Sequence, residues 1–111
     1  MNIQIFGTKK CKKTQKAQRW FKERNIQFQF INLKEKKMSP GEFNSVVTAV
    51  GGLDAMTNTK SKEYASIAYV IDDDKAQTLF ENQENLLCTP IVRNGHQATC
   101  GMQAEIWKNW Q

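Results

Sequence analysis

The chain has a single histidine, His96, and no two of its three cysteines, Cys11, Cys88 and Cys100, stand in a C-x-x-C spacing. An odd cysteine count without that spacing argues against a secreted disulfide framework and against a structural zinc site, so no metal is expected. No apolar run approaches the roughly twenty residues that a membrane helix needs. The opening Met1-Asn2-Ile3-Gln4-Ile5 carries none of the marks of a signal peptide. Internal repeats, low-complexity tracts and flexible linkers are lacking too. These absences lead to the expectation of a soluble, cytoplasmic protein with reduced thiols and no membrane partner. At 111 residues the chain is long enough to bury a core without disulfide or metal staples, and one domain over residues 1–111 is expected.

Acidic residues are also the scarcer charge: 11 Asp and Glu against 16 Lys and Arg leave a formal charge of +5. The excess is local, because Lys9, Lys10, Lys12, Lys13, Lys16, Arg19, Lys22 and Arg24 crowd one stretch against Glu23 alone. A basic focus around a thiol suits a small anion, glutathione or an acidic protein surface at least as well as a phosphodiester backbone. Direct nucleic-acid binding would rest on net charge alone and is not expected. Trp20, Trp107 and Trp110 fall on helix faces, as core or surface cover rather than as a platform for bases. The plain alternative for many of the lysines is an ordinary solvated surface.

The stretch around which the chain is organised is Ile3-Gln4-Ile5-Phe6-Gly7-Thr8-Lys9-Lys10-Cys11-Lys12-Lys13-Thr14. A short alternating apolar run gives way to a basic turn with one cysteine, and a helical pattern follows directly. Cys11 therefore stands at the start of a helix, beside unpaired first-turn N–H groups and the positive end of the helix dipole. Both favour the thiolate, which is the nucleophilic form, and the flanking lysines add positive charge. The competing reading is a small buried residue that merely follows a strand.

Ile3 and Ile5 alternate with polar neighbours and predict a half-buried strand ending at Gly7. Thr14, Ala17, Trp20, Phe21 and Arg24 fall at steps of three and four, which predicts a helix from about residue 12 to about 24. The alternation Ile26, Phe28, Phe30 predicts a second strand, and strand, helix and strand make a right-handed βαβ unit with parallel strands. Ser39-Pro40-Gly41-Glu42 is a capping box with proline at the first helical position; Phe43, Val46, Val47 and Val50 form the buried stripe, and Gly51-Gly52 ends the helix. Tyr64, Ile67, Ala68 and Ile71 predict one short helix, and Asp72-Asp73-Asp74 starts another with Ala76, Leu79 and Phe80 facing inward. Thr89-Pro90-Ile91-Val92-Arg93, the turn Asn94-Gly95 and His96 to Cys100 predict a hairpin, with His96 solvated at its tip rather than a base or metal ligand. Met102, Ile106 and Trp110, with Trp107 alongside, suit a terminal helix packed on the sheet. The order is βαβ, a helical insertion over about 39–87, then ββα, an α/β architecture with a mixed four-stranded sheet.

That order resembles the thioredoxin-like fold. More narrowly, Phe6-Gly7-Thr8-Lys9-Lys10-Cys11-Lys12-Lys13-Thr14, Gly51-Gly52-Leu53 leading to Asn58-Thr59-Lys60-Ser61-Lys62-Glu63-Tyr64, and Leu86-Leu87-Cys88-Thr89-Pro90-Ile91-Val92-Arg93-Asn94-Gly95 resemble the arsenate reductase-like family, which also contains the Spx-type transcriptional regulators. The resemblance covers essentially the whole chain. It implies that Cys11 is the nucleophile of a monothiol oxidoreductase, forming a mixed disulfide or an oxyanion adduct. It also implies a cis Pro90 beside that cysteine, and no bound cofactor. Glutathione is the implied co-substrate, with glutaredoxin or another thiol protein as partner.

Lys60 and Thr89 fall where arsenate reductases of this type carry oxyanion-binding arginines. A lysine offers only a point charge where the planar guanidinium binds two-point fashion, which weighs against arsenate itself. Lys10, Lys12, Thr14, Lys60, Thr89, Pro90 and Arg93 are the candidate substrate- or anion-binding residues; Arg93 either supplies the missing charge or points to solvent. Thr14 stands where Spx-type regulators have a second cysteine, so a C-x-x-C switch is absent. Its hydroxyl either bonds the thiolate or lies on the helix surface. Cys88, two residues before Pro90, is either a resolving thiol for Cys11 or a small buried residue, and Cys100 is expected to be structural. The alternative to the enzyme is a regulator that docks on RNA polymerase without catalysis.

Overall fold

A computed structural model describes residues 2–61, 64 and 72–110. The chain runs β1 (Ile3–Gly7), α1 (Lys12–Glu23), β2 (Phe28–Asn32), α2 (Pro40–Val50), a 3-10 turn (Asp54–Met56), α3 (Asp72–Glu81), α4 (Gln83–Leu86), β3 (Ile91–Asn94), β4 (Gln97–Cys100) and α5 (Ala104–Lys108). The four strands form one sheet in the order β2-β1-β3-β4. β1 is parallel to β2 and antiparallel to β3, and β3 is antiparallel to β4. The predicted mixed sheet, βαβ unit and hairpin are all present. The short helix predicted from Tyr64 to Ile71 lies, apart from Tyr64, outside the described residues.

Each face of the sheet carries its own core. Ile3, Ile5 and Val92 pack with Ala17, Trp20 and Phe21 of α1 and Trp107 of α5. Phe6, Ile31 and Ile91 pack on the other side with Phe43 and Val46 of α2, Met56, Leu79 of α3, and Leu86 and Leu87. β1 is central and covered on both faces, so Phe6 is as buried as Ile3 and Ile5, where the alternation predicted a half-buried strand. Among the described residues no helix is long and apolar enough to cross a membrane.

Local chemistry explains why the elements begin and end where they do. Ser39 Oγ accepts from the Glu42 N–H at 3.2 Å, while the Glu42 carboxylate accepts from the Ser39 N–H at 2.9 Å, so the capping box at α2 is complete. Gly51 ends the helix with φ 93°, a left-handed conformation that glycine adopts without a Cβ penalty.

Two expectations require correction. The hairpin turn is Gly95-His96, one residue later than predicted: Asn94 pairs with Gln97 as the last rung of the ladder, and Gly95 takes φ 61° at the first loop position. In α5 the buried residue is Trp107, whose Nε1 donates to Thr99 Oγ1 at 2.8 Å, while Ile106 is exposed and Met102 and Trp110 are only half-buried.

Candidate active site

Cys11 is the N-cap of α1, with extended backbone (φ −76°, ψ 115°). In an N-cap the side chain faces the free N–H groups at the second and third helical positions, here Lys13 and Thr14, and α1 has no acid in its first turn to compete for them. The sulfur is half-buried. Thr89 Oγ1 donates to it at 3.2 Å, and its own S–H approaches the Thr89 carbonyl at 3.8 Å. The Thr89–Pro90 peptide is cis, as the resemblance implied.

Partial burial by itself would raise the Cys11 pKa. The hydroxyls of Thr14 and Thr89 and the N–H groups of Thr14 and Lys13 outweigh it, and the thiol lies below its ordinary value. The first-turn N–H groups act as predicted, and the added cause lies elsewhere than expected: Lys9, Lys10, Lys12 and Lys13 are all exposed, and the hydroxyls of Thr14 and Thr89 favour the thiolate beside those N–H groups.

Thr14 is not on the helix surface: it is fully buried, and its Oγ1 makes no well-formed hydrogen bond. The hydroxyl lies near enough to the Cys11 sulfur to help lower the thiol pKa. Gly7 makes this close packing possible, because a Cβ there would overlap Thr14 Oγ1 and lie 2.7 Å from its Cγ2. Gly7→Ala is therefore expected to destabilise the protein by about 1–3 kcal/mol through overpacking, and to raise the Cys11 pKa by displacing the hydroxyl. In urea titrations the Gly7→Ala/Thr14→Ala double variant should lose less than the sum of the single changes, because the second substitution removes the colliding atoms.

A cleft of about 410 Å³ opens beside the loop between β1 and α1, lined by Thr8, Lys9, Lys10, Asn32, Lys34, Glu84 and Asn85. Gln15 Nε2 donates to the Lys9 carbonyl at 2.7 Å and ties this loop to α1. Of the predicted anion-binding residues, Thr14, Thr89 and Pro90 gather at Cys11 or on the loop that touches it, and Lys10 lines the cleft. Lys12 is exposed on the first turn of α1. Lys60 is exposed on a turn secured by the Asn58 N–H, which donates to the Leu86 carbonyl at 2.7 Å.

Arg93 is neither solvent-facing nor beside Cys11. It pairs with Gln4, well along β1 from Gly7, and its guanidinium donates to Gln4 Oε1 at 3.1 Å and lies 3.5 Å from Ser45 Oγ and 3.9 Å from Glu42 on the α2 side of the sheet. α1 covers the opposite face, so Arg93 does not join the cysteine. Asn32, Lys34, Glu84 and Asn85 had escaped sequence reasoning, since they reach the cleft from β2, its following turn and α4.

Cys88 does not stand as a lone buried residue. Its thiol and that of Cys100 act on one another, so that the pKa of Cys88 is lowered and, with burial, that of Cys100 is raised. Among the described residues no group of three or more His, Cys, Asp or Glu side chains comes together to hold a metal.

An ArsC family related protein from Bacteroides fragilis superposes with a TM-score of 0.86 at 19% identity, over 100% of this chain and 98% of its own. An arsenate reductase from Vibrio cholerae does so with a TM-score of 0.84 at 23% identity, over 98% and 97% of the two chains. An ArsC related protein from Brucella melitensis gives 0.73 at 14% identity, over 99% and 94%. No match is found among curated protein sequences. At these identities the likeness is one of fold, the thioredoxin-like fold. The ArsC family model matches residues 6–110, nearly the whole chain, and the protein belongs to the ArsC family.

Proposed function

We propose that this protein is a monothiol oxidoreductase of the cytoplasm with Cys11 as its nucleophile and glutathione, or a glutaredoxin-type protein thiol, as the reductant. The observation that carries the reading is the half-buried Cys11 sulfur, held below its ordinary pKa by Thr14, Thr89 and two helix N–H groups. The thiolate attacks one sulfur of a disulfide substrate; a new S–S bond joins Cys11 to that half, and the other half leaves as a thiolate that takes up a proton. A glutathione thiolate then attacks the half bound to Cys11, carries it away as a disulfide and restores the Cys11 thiolate.

Lys9, Lys10 and Lys34 in the neighbouring cleft suit the two carboxylates of glutathione, and Glu84 suits its ammonium group. With Lys60 and Thr89 in place of arginines, and with Arg93 on the other face, a disulfide fits the site better than arsenate does. Exposure of the reduced protein to oxidised glutathione should place a glutathione adduct on Cys11, and the rate of Cys11 alkylation should inflect at a pH below the free-thiol value of about 8.5. An unmodified Cys11, or an inflection at or above that value, would overturn the assignment.

The exposed basic residues Lys12, Lys13, Lys16, Arg19 and Lys22 of α1 support a second reading, a regulator docking on an acidic surface such as that of RNA polymerase. Retention of polymerase subunits by the immobilised protein, without thiol transfer, would favour it.

A further inference from the structure

The register of the hairpin places Cys100 opposite Ile91, and the Gly101 N–H donates to the Pro90 carbonyl at 2.8 Å, so the end of β4 is laid against the segment that leads into β3. The Cys88 sulfur lies against this corner, 4.0 Å from where a Cβ on Gly101, the residue after Cys100, would stand. On the other side Cys100 lines a surface groove with Val50, Ala98 and Ile106. Both thiols are half-buried, and both are free. Two thiols that act on one another ionise one before the other, and the field of Lys13 favours the anion at Cys88.

We infer that Cys88 and Cys100 form a second redox site, distinct from Cys11, in which the two thiols are oxidised by a hydroperoxide to an intramolecular disulfide. The Cys88 thiolate attacks the peroxide O–O bond, becoming a sulfenic acid and releasing hydroxide, which takes up a proton from solvent to become water when hydrogen peroxide is the oxidant. The Cys100 sulfur then attacks the sulfenic sulfur; its proton and the departing hydroxyl leave as a second water, and the S–S bond closes. Two thiols are oxidised by two electrons, and one peroxide is reduced to two waters. The site acts at a sensitive place, because Cys88 directly precedes Thr89, whose hydroxyl is bonded to Cys11. It does not depend on the chemistry proposed for Cys11.

The test uses the full reduced chain treated with hydrogen peroxide, alkylated and digested with trypsin. Arg93 lies between the two cysteines, so cleavage after it separates them, and the disulfide is read as two peptides joined through Cys88 and Cys100. The expected result is loss of both alkylatable thiols, the joined pair of peptides, and full recovery of the two thiols with a dithiol reductant. The same pair should form in Cys11→Ser. In Cys100→Ser, with the second thiol gone, Cys88 should accumulate as a sulfenic acid trapped by dimedone. Separately alkylatable Cys88 and Cys100 after peroxide treatment of the native chain would overturn the inference, as would a disulfide joining either of them to Cys11.

Discussion

Replacement of Cys11 by serine is expected to reduce thiol transfer by at least about a thousandfold, because the covalent step itself is removed. A serine hydroxyl is not ionised near neutral pH and cannot enter a disulfide. The same substitution should leave the fold intact or improve it, since Cys11 is the N-cap of α1 and serine is among the residues preferred there. Activity and stability thus move independently, which separates a chemical role for Cys11 from a structural one.

Thr14→Val provides the complementary measurement. It keeps the sulfur and removes the buried hydroxyl, and the alkylation profile should shift up by about one pH unit, with the rate at neutral pH falling about tenfold and recovering as the pH rises. The sign for folding follows from the same shift. The native Cys11 pKa lies below that of the unfolded chain, so its contribution to stability is present above the unfolded pKa and is lost as the pH falls through the native one. Cys11→Ser should lack that dependence.

Local signals in the sequence were sufficient for much of the fold. The Ser39 and Glu42 capping box, the start of α1 at Lys12 and the two parallel strands around it all depend on residues a few positions apart. What escaped was set at long range. Asn94-Gly95 is a strong turn signal, yet the turn falls on Gly95-His96 because Ile91 must face Cys100 across the hairpin while Phe6 faces Ile91 from β1. The position of Cys11 was legible from its own neighbours, whereas the hydroxyl of Thr89, 78 residues away, was not. The first-turn N–H groups beside Cys11 were legible from its place at a helix start, while the hydroxyls of Thr14 and Thr89 that act with them were not settled by that place. The partnership of Cys88 with Cys100 was equally hidden, since it exists only once β4 has folded back along β3.

The terminal helix shows the same limit, and it gives the largest expected effect on stability. The spacing of Met102, Ile106 and Trp110 offered one apolar face and Trp107 another; the sheet chose Trp107 because a hole between α1 and the sheet fits an indole and Thr99 supplies its acceptor. Trp107 is 0% exposed, with ring centroids 5.4 Å from Trp20 and 5.0 Å from Phe21. Trp107→Ala should cost about 3–5 kcal/mol from lost burial and the cavity left behind, a large share of the roughly 5–15 kcal/mol by which such a domain is stable. For a chain near 100 residues this corresponds to a fall in Tm of about 15–30 °C. Trp107→Phe retains a ring against Trp20 and Phe21 but leaves the Thr99 hydroxyl without its donor, and its cost beyond lost volume should be about 1 kcal/mol. Because α5 meets the buried face of α1 at Trp20 and Phe21 rather than at its first turn, the alkylation rate of Cys11 in Trp107→Phe should match the native rate below the unfolding transition. A change in that rate would mean that the geometry of the N-cap depends on the packing behind it.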